Sequence, residues 1–332
     1  MARRGPQTRR AAFRVSSSLA ILCLLWPAAS IAQDYPARNI TIILGYAAGG
    51  GADVSTRYFA DRLSKLAGKS VMVENKPGAQ AAIAAEAAAR ARPDGYTVLF
   101  AAGNALAASP HMFKKLNFDP LKSFSFVTTL FRTPYVLVAS PKRNVSSVSG
   151  LTAYLKARDK AAPGLYGYQG LINQAAGELY KQMAAADATP VPYKTVQQIL
   201  TDLISGDIDF AFLDATFALE QSKAGNLRAL AVSLPGRSPI APDLPGMAEA
   251  GLPGFDLSAW FAVYLPANAP VSVVATLSRW LNEILATEET KRFLTQTGTE
   301  PFPGSPESLA RYQAEQAESW GTLVKAANVE PQ

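Results

Sequence analysis

The chain has 332 residues, 48% of them hydrophobic and 17% charged, enough apolar material for one large or two ordinary domains, which excludes disorder as a description of the whole. A single cysteine, Cys23, and a single histidine, His111, exclude a disulfide framework, a Cys/His zinc site and a catalytic Cys-His pair, because each needs residues the chain lacks. The formal charge is +6, but Arg3, Arg4, Arg9, Arg10 and Arg14 stand in an acid-free stretch of 32 residues, and the rest carries 27 bases against 26 acids. That remainder gives no electrostatic ground for a nucleic-acid or anionic-membrane partner.

Residues 1–32 read as a signal peptide: an arginine-rich start, the short apolar run Leu19 to Trp26, and Ser30-Ile31-Ala32 with small residues at the cleavage positions. The run is far shorter than the roughly 20 residues a membrane span needs. Cleavage is expected after Ala32, leaving Gln33 first and removing Cys23. Ile21-Leu22 puts a bulky residue where a lipoprotein signal has a small one. Thr8 to Arg14 resembles a twin-arginine signal, so export by the Sec or the twin-arginine route is expected. A cysteine-free exported chain fits a bacterial periplasm.

Strand-length apolar runs then alternate with helical stretches, the rhythm of an α/β fold. Strands are expected at Ile40–Gly45, Val71–Glu74 and Tyr96–Ala101, with helices at Asp53–Leu66 and Ala79–Ala91 between them. Phe124–Phe131 and Tyr135–Ala139 read as two strands around Pro134. A helix near Val148–Ala157, a strand at Leu165–Tyr168, helices at Asn173–Ala185 and Thr195–Ser205, and strands at Ile208–Leu213 and Leu227–Val232 follow. Pro235 to Pro253 holds five prolines and reads as an extended loop with a short helix. A strand at Leu257–Leu265 and helices at Val271–Leu285, Glu288–Thr297 and Glu307–Ala327 complete the chain.

Gly45-Tyr46-Ala47-Ala48-Gly49-Gly50-Gly51-Ala52-Asp53 lies between a strand and a helix. It is either an ordinary connection with Asp53 as N-cap or an anion site made by the free amides of the helix start. It matches neither a P-loop nor G-x-G-x-x-G. Asn75-Lys76-Pro77-Gly78-Ala79 repeats the idea at the second strand, with Lys76 read as a solvated turn residue. No catalytic constellation is visible. His111 reads as a surface or packing residue, Asp207 and Asp209 as a strand edge, and Trp260, Phe261 and Tyr264 as core or hinge packing.

Seven segments then come in one order: Tyr35-Pro36, Ala48-Gly49-Gly50-Gly51-Ala52-Asp53, Val73 to Ala79, Pro93-Asp94-Gly95-Tyr96-Thr97, Pro192-Tyr193-Lys194, Arg228 to Val232 and Ala248 to Gly254. From about Tyr35 to Pro301 the chain resembles the Bug family of extracytoplasmic solute receptors, the TctC-like substrate-binding proteins of tripartite tricarboxylate transporters. The resemblance implies a type II periplasmic binding protein, with two α/β lobes, two crossover connections and a ligand cleft between them. Crossings near Thr133-Pro134 and Gly254-Phe255 would give one lobe of 33–133 plus 255–332 and a second of 134–254.

The resemblance also implies where a small carboxylate is gripped. The first loop would offer Tyr46, Ala48, Gly49, Gly50, Gly51 and Asp53, and the second turn Gly78, Ala79, Gln80 and Ala81. Ala102, Gly103 and Asn104 would follow the third strand, and the second lobe would add Gln169, Asn173, Gln174, Thr195 and Asp214. Gln174 stands where the family commonly has histidine, and Thr195 and Gln80 where it has glycine, so a family-typical dicarboxylate is not assumed. A binding protein without cofactor or metal is expected, monomeric, serving a transporter's membrane components or a sensor. The other reading is an exported α/β hydrolase-like enzyme using the same cleft, which would need a base or nucleophile that the sequence does not display.

Overall fold

From Tyr35 onward the apolar runs become strands and the amphipathic stretches helices, in a computed structural model that describes residues 1–2, 35–159, 161–326 and 331. The expected signal peptide falls, beyond its first two residues, outside those described. Tyr35–Gln332 forms one unit. It opens with β1 Ile40–Leu44, α1 Gly51–Ala67, β2 Val71–Asn75, α2 Ala82–Ala89, β3 Thr97–Ala102, α3 Gly103–Met112 and β4 Phe124–Ala139. Then come α4 Val148–Lys156, β5 Gly164–Tyr168, α5 Leu171–Ala184, β6 Ala188–Pro192, α6 Val196–Ser205, β7 Phe210–Asp214, α7 Ala215–Lys223 and β8 Arg228–Val232. β9 Ser258–Pro266, α8 Val271–Ala286, α9 Glu288–Gln296, β10 Glu300–Pro301 and α10 Pro306–Ala326 end it.

The strands follow the order β2-β1-β3-β9-β4-β7-β5-β6, with β10 and β8 also on β4. β4 is shared between two sheets. Phe124 to Pro134 pair with β9, and Tyr135 to Ala139 pair with β7 and β8. The first sheet buries Phe59, Phe100 and Leu265 on one face and Ala84, Trp260 and Tyr264 on the other. The second buries Tyr180 and Phe212 on one face and Val136, Ile199 and Leu213 on the other. Apolar runs in strands covered on both faces are the signature of such α/β layers. Two lobes result, joined by β4 and by the segment entering β9.

Several expectations are corrected. The two strands around Pro134 are one 16-residue strand, with the proline where β4 changes partners and a missing N–H costs least. His111 lies near the end of α3, a helix not expected there, with the irregular stretch following it. Pro110 cannot donate within the helix, and the Ser109 hydroxyl donates to the Leu106 carbonyl instead, at 2.8 Å. β6 and α7 were not expected, and the segment of five prolines forms turns rather than a helix. Asp209 precedes β7 and is buried, with Arg143 at 2.6 Å, Tyr154 at 2.9 Å and the Leu165 amide at 2.7 Å on its carboxylate. The far end of α10 does not stay with the first sheet: Trp320, Leu323 and Val324 join the core of Tyr180 and Phe212.

Candidate functional site

The expected ligand-contacting residues sit at the ends of β1, β2 and β3 in the first lobe and of β5 and β7, with the start of α6, in the second. The helices that begin there differ in one respect. α4, α6, α7 and α9 are capped by the side chains of Ser147, Thr195, Asp214 and Thr287. α1, α2, α3 and α5, which leave β1, β2, β3 and β5, have no side-chain cap, and α8, entered through Pro270, is a fifth without one. An uncapped helix start leaves N–H donors pointing outward at the positive end of the helix dipole. Such a start suits an anion, but at α2 the first amides are taken: Ala81 N–H donates to the Gly78 carbonyl and Ala82 N–H to the Ala79 carbonyl.

Asp53 is not the N-cap. That position belongs to Gly50, and Asp53 lies in the first turn of α1, 3% exposed. Its carboxylate accepts from the Gly49 amide at 2.9 Å, from Arg57 Nε at 2.9 Å and from Asn75 Nδ2 at 2.8 Å. The Asn75 amide also donates to the Tyr46 carbonyl at 2.9 Å, and Arg57 Nη2 donates to Asn75 Oδ1 at 3.0 Å. One network thus fastens the β1–α1 loop to the end of β2. These bonds hold the Asp53 carboxyl well below the usual carboxylate range, Arg57 contributing most and the Gly49 amide next. Reading for ligand contacts missed Arg57 and Asn75. The i,i+4 spacing of Asp53 and Arg57 was a legible signal, whereas the reach of Asn75 across two loops was not.

The second turn is unlike the expected helix start. Ala79, Gln80 and Ala81 have φ of 44°, 50° and 71°, a left-handed 3₁₀ turn, and α2 begins only at Ala82. Left-handed backbone disfavours residues with a Cβ by roughly 1–2 kcal/mol each, so tertiary packing holds the turn. Gly45 shows how close that packing is, since a Cβ there would lie 2.3 Å from Cβ of Ala81. Gly78, Ala79 and Gln80 are exposed while Ala81 is buried. Lys76 pairs with Glu74 at 2.5 Å at the surface, as its solvated reading implies.

β3 runs into α3 with no loop at Ala102 to Asn104. Gly103 is packed so tightly on Trp260 that a Cβ would sit 2.0 Å from the ring, and Asn104 Oδ1 accepts from the Trp260 amide at 3.5 Å. Trp260 and Tyr264 are core residues, as expected, while the half-buried Phe261 lies 4.9 Å from Phe131 and 5.7 Å from Tyr46, ring to ring.

In the second lobe Gln169 and Asp214 are exposed, Gln174 is buried, and Asn173 donates to the Phe212 carbonyl at 2.9 Å. Thr195 is committed to a capping box with Gln198. Asp214 accepts from the Thr216 amide at 3.0 Å and is paired in register with Tyr135, whose hydroxyl pKa is raised by burial first and by Asp214 second. Among the described residues no group of three metal-ligating side chains occurs and no helix is long and apolar enough to cross a membrane. A cavity of about 790 Å³ lies between α1 and β2, lined by Arg57, Ser64, Lys65 and Lys69 among others, and it touches the bracing network only through Arg57.

A family model described as the tripartite tricarboxylate transporter family receptor, TctC, matches residues 55–329. The chain belongs to that family. It is 31% identical to protein BugT of Bordetella pertussis, over 89% of this chain and 90% of that one. Among solved structures it resembles an R. palustris protein with adipate, at 30% identity and a TM-score of 0.66, covering 90% of this chain and all of that one. It also resembles MatC from Rhodopseudomonas palustris with bound malate, at 27% identity and a TM-score of 0.62, covering 87% and 100%. The two-lobed α/β architecture is that of the type II periplasmic binding proteins, as the sequence resemblance implied.

Proposed function

We propose that this TctC receptor captures a small organic anion of the carboxylate class in the cleft between its lobes. The carboxylate lies on the uncapped starts of α1 and α3 beside the Gly78 to Ala81 turn, and the second lobe, through Gln169, Asn173, Gln174 and Asp214, reads the remainder of the molecule. The observation that carries this is the contrast in capping. α4, α6, α7 and α9 spend a side chain on their first amides, whereas α1 and α3, leaving β1 and β3, have no side-chain cap, and the Asp53–Asn75 network holds the first of these in place. Adipate and malate bound to relatives are of the same class. The exposed Asp214 carboxylate favours ligands that present a hydroxyl, amide or amine to the second lobe. The captured solute passes to the membrane components of a tripartite tricarboxylate transporter or to a sensor, from a periplasmic, monomeric receptor.

The test is a thermal-shift screen against mono- and dicarboxylates, including adipate and malate, and against acids bearing amide or aromatic groups, with a turnover assay on each hit. Binding stabilises the folded state by about 2.7 kcal/mol at a ligand concentration of 100 Kd, so a hit is read as a raised melting temperature with the acid recovered unchanged. Recovery of a converted product would move the chain to the hydrolase-like reading. A panel without any shift would remove the carboxylate class.

A further inference from the structure

Both chain crossings between the lobes pass one buried polar cluster. The Ser233 hydroxyl, just after β8, accepts from the Tyr135 amide at 2.9 Å and donates to the Leu257 carbonyl at 2.6 Å. A single side chain therefore holds the two crossings side by side. That contact fixes their spacing and leaves the angle between the lobes to something else.

The segment Gly298 to Glu300 supplies a second contact. Glu300 is 3% exposed and pairs in register with Arg132 on β4, two residues before the strand changes sheets. One of its oxygens accepts from Arg132 Nε at 2.7 Å, and the other accepts from the hydroxyl of Ser238, in the loop after β8. That loop belongs to the second lobe, since Leu234 and Ala241 are buried in its core. Gly298, at φ +70°, faces Thr216 at the start of α7, and a Cβ there would lie 2.4 Å from Thr216 Oγ1. The first lobe thus meets the second at two points on different elements, through the Glu300 side chain and the Gly298 backbone, which resists rotation as well as separation.

Asp256, in the second crossing, has its Oδ1 buried without a hydrogen-bond partner. An orphaned buried acceptor is costly in the arrangement that leaves it so.

The geometry points to Glu300 as a positioning residue for solute capture: through Ser238 it clasps the lobes in the arrangement seen here and sets the balance between open and closed forms from outside the proposed ligand turns. The consequence for capture rests on the receptor reading, but the lobe arrangement itself is measurable without ligand.

The experiment places nitroxide labels at Lys65→Cys on α1 and Lys223→Cys on α7, both exposed, in the full chain with Cys23→Ser, and measures the label distance by double electron–electron resonance. Ser238→Ala cuts the inter-lobe bond while leaving Arg132–Glu300 intact. Gly298→Ala presses on the other inter-lobe contact, against Thr216, and Glu300→Gln keeps the shape should the alanine variants fail to fold. Without any ligand, the distance distribution is expected to shift or broaden by more than about 2 Å, the scale of a domain rearrangement, in addition to the modest loss of melting temperature that orphaning one Glu300 oxygen brings in Ser238→Ala. Distributions that superimpose on the parent's in every folded variant would overturn the clasp. A shift in a chain that binds no acid in the screen would leave the clasp standing and remove the carboxylate reading instead.

Discussion

The side-chain amide of Asn75 donates to the Asp53 carboxylate at 2.8 Å across 22 residues of sequence, joining the end of β2 to the first turn of α1. This bond and its partners to Gly49, Arg57 and Tyr46 convert a glycine-rich loop into a braced one. Asp53→Ala removes the acceptor of three donors and is expected to cost about 1–3 kcal/mol. The pH dependence has a definite sign. A carboxyl whose folded pKa is depressed adds stability that is complete above its unfolded pKa of about 3.9 and is lost as the pH falls toward the folded value. Urea titrations of parent and Asp53→Ala should therefore differ at neutral pH and converge in strong acid; a gap that widens on acidification would contradict the network.

Gly50→Val separates amide recognition from ion pairing. Gly50 has φ −78° and ψ 167°, an extended conformation open to valine, and its Cβ would come no nearer than 3.6 Å to the Ala47 carbonyl. The variant should fold and melt like the parent yet lose at least tenfold in affinity for the acid found in the screen, because the side chain stands beside the free amides of α1. Lys76→Ala should keep its affinity within about twofold, its charge being paired with Glu74 and screened. Calorimetric titration that gave the opposite order would replace the amide cradle with a direct ion pair.

Gln80→Gly tests the cost of the left-handed turn. Glycine adopts φ near +50° freely, but it also gains freedom in the unfolded chain. The net gain in stability is expected to be up to about 1 kcal/mol, read as a higher urea midpoint at unchanged slope. A loss of stability would mean that the exposed Gln80 side chain makes contacts worth more than the backbone strain.

Ligand contact with both lobes favours the closed form, since contacts across the cleft exist only there. Small-angle scattering of the ligand-free and saturated protein should show a smaller radius of gyration on saturation. An unchanged radius would confine binding to one lobe.

Export with processing predicts a mature chain that begins at Gln33. N-terminal sequencing of protein recovered from the periplasmic fraction checks this, and an intact Met1 in that fraction would refute cleavage.

The sequence by itself determined the alternation of strands and helices, the strand-to-helix turn at Gly49 to Gly51 and the family, because these signals are local: apolar runs, glycines at a helix start, and short motifs in a set order. The tertiary structure alone decided how the site is braced and where the lobes are tied. Ala79 to Ala81 read as a helix start from composition, yet the close approach of Gly45 to Ala81 accompanies a left-handed turn there. α3 formed despite Pro110 because Ser109 bonds the carbonyl that the proline leaves free. Arg132 and Ser238 meet Glu300 across 168 and 62 residues, and no periodicity marks such a meeting. Hydrogen bonds between residues that far apart depend on where β4, β10 and the loop after β8 come together in space, a position fixed by packing of the two sheets and not by the residues' neighbours in the chain.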